Sequence, residues 1–202
     1  MTIKIEDPRF IITEEMYQSC ADFAKKSLDS NTSTYARRNQ FNREKIEKDI
    51  MYGKIGEEGV YEKVSAFYSN LTKPDHNVYE KKDKSWDPDL KDVATGLKIA
   101  VKSQDIKSSL AYGESWVFQY NQGKNYDCDT GIFKEEDDKH FAAFVLLNVP
   151  KRYGEIRSIV KISWLHTFSL FKDMKLRNLQ SNKKAVYYED LLSFDKKELW
   201  QL

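Results

Sequence analysis

A carboxylate and an ammonium stand a short spacer apart near the middle of this chain. Pro88-Asp89 precedes the apolar run Gly96-Leu97-Lys98-Ile99-Ala100-Val101, which ends at Lys102. Carried on neighbouring strands, an aspartate and a lysine offer what metal-assisted phosphodiester hydrolysis needs: an oxygen ligand for a hard divalent ion, and a compact cation beside the attacking water or the scissile phosphate. Side chains alternate along a strand, so Ala100, Lys102 and Gln104 share one face while Ile99 and Val101 share the other. Lys102 is therefore expected to face the site, with Gln104 beside it placed to hydrogen-bond a phosphate or a water. Each residue also has a plainer reading. Asp89 suits a turn in Trp86-Asp87-Pro88-Asp89, and Gln104 suits a polar strand end. Lys102 is harder to set aside, because an ammonium flanked by apolar residues needs a partner.

Pro-Asp, a short spacer and a strand closing on x-x-Lys resemble the active-site hairpin of the PD-(D/E)xK nuclease superfamily, and the resemblance runs over roughly residues 50–150. Ala100 stands where that family carries its second acid, and a methyl group cannot bind metal. The resemblance implies an α/β fold, a central mixed β-sheet flanked by helices of restriction-endonuclease-like type. It also implies a Mg²⁺ cofactor, with Mn²⁺ able to substitute, held by Asp89 and by the carbonyl of Val101. For the missing acid it points to Glu57, because Gly53-Lys54-Ile55-Gly56-Glu57-Glu58-Gly59-Val60 resembles the family's first core helix, in which a Gly-Glu pair joins the metal site. Glu114, beyond the lysine strand, is the second candidate; Glu58 is the adjacent alternative to Glu57, Glu62 is a weaker one, and Asp87 could replace Asp89 in a shifted register. A glutamate on a helix of so charged a chain is otherwise a solvated residue.

The activity expected from this resemblance is a Mg²⁺-dependent endonuclease on double-stranded DNA, with a homodimer placing two sites on two strands. Asp89, Lys102, Gln104 and Glu57 would carry the catalysis. Arg37, Arg38 and Arg43, in a segment of arginines, amides and aromatics, and Lys107 after the lysine strand are the expected DNA contacts, since arginine forks to phosphate oxygens or guanine. Ordinary surface charge explains the same cluster. The loss of the acid at Ala100 also admits a non-catalytic module that binds nucleic acid or protein on the same fold.

The elements that must position these residues are legible in outline. Met16, Cys20, Phe23, Ala24 and Leu28 recur at helical spacing behind Thr13-Glu14-Glu15, with a polar break expected from Asp29 to Thr34. Ile46 to Leu71 reads as one long helix or two, weakened at Gly53, Gly56 and Gly59. Strands are expected at Asn77–Glu80, Leu97–Lys102, Phe141–Val149 and Ile156–Trp164, with a short one near Trp116–Phe118 inside a long loop. Lys184–Tyr188 and Glu189–Leu192 are two further pieces near the tail.

A length of 202 residues and 40% hydrophobic content fit one nuclease-like domain: a helical part over 1–45, a catalytic core over 46–150 and an extension over 151–202. The net charge of +1 leaves polyanion binding to local clusters, without a global field. Cys20 and Cys128 lie far apart and the three histidines lack metal-ligand spacing, which argues against a zinc centre. The amino terminus carries no apolar core of signal-peptide length and no run approaches that of a membrane span, so a cytoplasmic setting without membrane contact is expected.

Overall fold

The computed structural model describes residues 3–37, 41–79, 88–119, 139–176 and 183–198. A short strand, β1 (Arg9–Ile11), leads into two long helices, α1 (Glu14–Arg37) and α2 (Arg43–Val64). Thr13 opens α1 by accepting from the Met16 amide at 3.1 Å, and Asn42 caps α2 by accepting from the Lys45 amide at 2.9 Å. α1 continues through the polar stretch at Asp29, where the sequence predicts a break. α2 is one helix, and it ends at Val64, short of the expected Leu71.

Its glycines are sites of close approach. A methyl group at Gly56 would stand 1.9 Å from Ser103 Oγ, and one at Gly59 would stand 2.1 Å from the Phe10 ring. The backbone of α2 therefore lies directly on the strands beneath it, and the roughly 1 kcal/mol that a glycine costs a helix is offset by that packing.

The remaining elements are β2 (Leu90–Lys91), β3 (Lys98–Asp105), α3 (Ile106–Tyr112), β4 (Ser115–Gln119), β5 (His140–Asn148), β6 (Tyr153–Lys161), α4 (Ile162–Thr167), β7 (Lys172–Asp173), β8 (Lys183–Tyr187) and α5 (Tyr188–Glu198). A five-stranded mixed sheet has the order β1-β6-β5-β3-β2, with β3 parallel to β5 and the other neighbours antiparallel. The fold is thus α/β, a mixed sheet with helices against it. β5 is buried at every residue, as its unbroken apolar run requires of a strand covered on both faces.

Two cores follow. Ile99 and Val101 join Ile55, Val60, Phe10 and Leu147 under α2, while Ala100 joins Trp116, Phe118, Ala142 and Phe144 on the opposite face. That second face is covered by a three-stranded sheet, β4-β8-β7, tied to the first where Trp116 Nε1 donates to the Val145 carbonyl at 2.9 Å.

Two expected strands differ. β6 stops at Lys161, the last residue paired with β5 through Phe141, and the chain then coils into α4, which buries Ile162 and Leu165 three residues apart on one face. Asn77–Tyr79 makes no ladder. The neighbouring pairing with β2 ends after the Leu71–Asp92 bridge and the Thr72 amide bond to the Lys91 carbonyl at 2.8 Å, so the segment runs on unpaired. Glu80 lies outside the described residues.

Candidate active site

β2 is two residues long, so β3 loses its partner on that edge just beyond Ile99, which pairs with Leu90. Asp89 takes over there: its Oδ2 accepts from the Val101 amide at 2.7 Å. The carboxylate is thereby fixed at the mouth of the hairpin, beside a cavity of about 440 Å³.

α2 closes the cavity from one side with Lys54 and Glu57, which share a face because they lie three residues apart. α1 adds Phe23, and the unpaired segment after Thr72 adds Asp75 and Tyr79. Asp89 and Glu57, the two carboxylates expected to meet from sequence, line the same cavity.

Its charges combine a largely buried pair, Lys54 and Glu57, with the exposed carboxylates of Asp89 and Asp75. The Glu57 carboxyl is pushed up to about 8, first by burial and then by the charge of Asp89, against the pull of the Lys54 ammonium. Lys54 is 8% exposed. Its Nζ donates to Glu57 Oε2 at 2.5 Å and to the Asp75 carbonyl at 2.9 Å, and sits 4.6 Å from the centre of the Phe23 ring. Asp75 is held below the ordinary carboxylate range: burial works against this, and bonds from the Tyr79 hydroxyl at 2.6 Å and the Asn77 amide at 2.9 Å outweigh it. Next to the cavity, His76 bridges α2 and α1 through Glu58 at 2.7 Å and Ser19 at 3.2 Å.

The other expected site residues lie elsewhere. Lys102 projects to the face opposite α2, where its Nζ stands 5.1 Å from the centre of the Phe118 ring. Gln104 ties α3 to β4: its Nε2 donates to the Gly113 carbonyl and its Oε1 accepts from the Ser115 amide, each at 3.0 Å. Glu114 receives a two-pronged bond from Arg157, at 3.0 and 2.9 Å, beside a second cavity that it lines with Lys175 and Tyr188. Val101, expected to act through its carbonyl, differs from these: its backbone meets Asp89 at the site through the amide bond at 2.7 Å, and only its side chain turns into the core under α2.

Among the expected DNA contacts, Arg43 is paired with Asp29 at 2.6 Å on the surface and Lys107 is exposed in the first turn of α3. Arg37 ends α1, and Arg38 lies outside the described residues, as does Asp87.

Among the described residues, no three His, Cys, Asp or Glu side chains form a group able to hold a metal. Glu57 and Asp89 nonetheless fit a hard divalent ion in kind. Mg²⁺ is commonly bound by one or two carboxylates with waters and substrate oxygens completing its shell, and a cation would relieve the repulsion that raises Glu57. Sequence reasoning does not single out Lys54. The signal for it is nonetheless present: a lysine one turn before Glu57, between Gly53 and Ile55 on a helix whose neighbours are buried.

Comparison with family models, with curated proteins and with solved structures gives no match to this chain. Among the described residues no helix is long and apolar enough to cross a membrane.

Proposed function

We propose that the protein is a metal-dependent endonuclease that hydrolyses phosphodiester bonds of double-stranded DNA, on a restriction-endonuclease-like variant of the α/β fold, at the cavity between α2 and the β2–β3 hairpin. The observation that carries this reading is the meeting of Asp89 and Glu57 in one cavity, where burial first and then the charge of Asp89 raise the Glu57 carboxyl. Asp89 comes from the hairpin and Glu57 from the helix, the two origins that the resemblance calls for when the strand acid is an alanine.

Glu57 and Asp89 would hold the ion. Bound there, Mg²⁺ would supply Lewis-acid charge at the phosphate and lower the proton affinity of a water. The chain's own contribution is to fix those carboxylates, one by the Val101 amide and one by Lys54, and to keep the cavity walls apolar at Phe23 and Val78. Lys73 and Lys91, exposed at its rim, would draw in the phosphate backbone.

The test is cleavage of plasmid DNA with Mg²⁺ by wild type, Asp89→Ala and Glu57→Gln. Loss of cleavage in both variants, with thermal unfolding still cooperative, supports the reading; full cleavage by either overturns it.

One observation favours a second reading, a module that binds nucleic acid without cutting it: the strand lysine of the resemblance turns its ammonium toward Phe118, outside the cavity. DNA affinity without cleavage, and no Mn²⁺ bound by the wild type in calorimetry, would decide for that module.

A further inference from the structure

We propose that Lys54, on α2, is the catalytic lysine of this site in place of Lys102; the inference rests on the phosphodiesterase reading above. Two placements carry it. The β3 residues that look toward α2 are Ile99, Val101 and Ser103, and a methyl group on Gly56 would meet both Ser103 and Val101. Lys102 alternates with them and its ammonium lies over Phe118, on the side covered by β4. Lys54, by contrast, lines the cavity together with Glu57 and Asp89.

A buried ammonium is costly to keep unless it is surrounded by acceptors, and α2 places this one among a carboxylate, a carbonyl and a ring face. Two of the three donors of Nζ go to Glu57 and Asp75, which fix the ammonium in position. The third, with the Phe23 ring face 4.6 Å from Nζ, would turn from the ring to a phosphate oxygen entering the cavity. The charge is thus held before substrate arrives, which is the condition for electrostatic stabilisation of a transition state.

In the step itself, the oxygen of water forms a bond to phosphorus and one ester P–O bond breaks. The water loses a proton to solvent, and the leaving oxygen gains one from solvent. Lys54 keeps its proton throughout and stabilises the charge that builds on the phosphoryl oxygens.

The experiment compares cleavage of plasmid DNA in Mg²⁺ by wild type, Lys54→Ala and Lys102→Ala, with and without added methylammonium. Lys54→Ala is expected to lose cleavage by about 100- to 1000-fold, the range seen when one preorganised donor is removed. Methylammonium, which can enter the space left by the side chain, should restore at least about tenfold of it in a saturable manner; a residue with only a structural role gives no such rescue. Lys102→Ala is expected to stay within about threefold of wild type. If Lys54→Ala does not fold, Lys102→Ala decides alone. A loss of more than about 100-fold there, with an unchanged melting temperature, overturns the assignment to Lys54 while leaving the phosphodiesterase reading intact. A Lys54→Ala variant that folds and cuts like wild type, or that is inactive and shows no rescue, also overturns it. Wild-type protein that cuts no DNA in Mg²⁺ or Mn²⁺ removes the phosphodiesterase reading, and this inference with it.

Discussion

Substituting Gly59 by alanine should destabilise the protein even though alanine is the better helix former. In α2 the exchange by itself would stabilise by up to about 1 kcal/mol, as the helix-propensity difference dictates. At Gly59 that gain is opposed. The added methyl would lie 2.1, 2.3 and 2.4 Å from three atoms of the Phe10 ring, where carbon–carbon contact needs more than 3 Å. The ring has no retreat. Phe10 is 1% exposed, it pairs in register with Gly154, and a methyl on that glycine would be 2.2 Å from the same ring. The phenyl group therefore fills the space between two glycines on two elements, and overpacking of this kind costs about 1–3 kcal/mol or more. Net destabilisation of about 1–2 kcal/mol is expected for Gly59→Ala. Gly53, where an added methyl would meet nothing within 4 Å, is the control, and Gly53→Ala should gain about 0.5–1 kcal/mol. Urea unfolding midpoints at constant slope measure both. Phe10→Leu in the Gly59→Ala background should recover part of the loss, giving a coupling of about 1 kcal/mol between sites in contact. Equal stability of the Gly59→Ala and Gly53→Ala variants would refute the claim that α2 is seated on β1 through its glycines.

Three further outcomes follow from the charges. The Glu57 carboxyl is raised from 4.5 to about 8, so the folded state holds this proton more tightly than the unfolded chain; its contribution to stability is full below about pH 4.5 and is lost as pH rises through about 8. Urea midpoints of metal-free wild type should fall across that window, whereas Glu57→Gln should be flatter. Asp75 and Asp105 are held low, the first against burial by Tyr79 and the second against burial by Ser108, so their contribution is present above about pH 3.8 and is lost on further acidification; removing the Asp105 carboxylate, as Asp105→Ala, should reduce the acid sensitivity of the midpoint below that pH. Glu114→Gln weakens the paired bonds to Arg157 and should cost about 1–2 kcal/mol by urea unfolding with cleavage unchanged, whereas a loss of cleavage in stably folded protein would return Glu114 to the metal site.

Where a segment's own periodicity decides its structure, the sequence is a sound guide. β5 is legible because a continuous apolar run fits only a strand covered on both faces, and the start of α1 because Thr13 and two acids suit a helix N-terminus. Glu57 and Asp89 are singled out by the resemblance and not by periodicity, and the fold brings the two to one cavity. Of the two alternatives left open for Ile46 to Leu71, one long helix or two, α2 takes the first across Gly53, Gly56 and Gly59. A glycine lowers helix propensity locally, yet Gly56 and Gly59 are required by partners far away in sequence, Ser103 and Phe10, and no window around residue 56 contains them. The end of β6 shows the same limit, since its ladder with β5 closes at the Phe141–Lys161 pair and the chain coils into α4 to bury Ile162 and Leu165.

The placement of Lys102 is the most instructive case, because the alternation behind it holds. Ala100 and Lys102 do share a face, and Ile99 and Val101 do take the other. What alternation cannot decide is which face meets the site. The expectation that the Ile99–Val101 face is core and the Lys102 face is open assumes a sheet with one wet side. β4 and β8 cover the second side as well, so Ala100 packs against Trp116 and Phe144 and the lysine stem runs out beside Phe118. With both faces of β3 occupied, the strand's access to a ligand is at its edge, where β2 ends after two residues and Asp89 turns inward to bond the Val101 amide. Lys73 and Lys91 stand exposed at the rim of that edge, and the buried cation beside it comes from the helix packed there. α2 is that helix, its glycines bring its backbone down onto β3, and the residue one helical turn before Glu57 is Lys54.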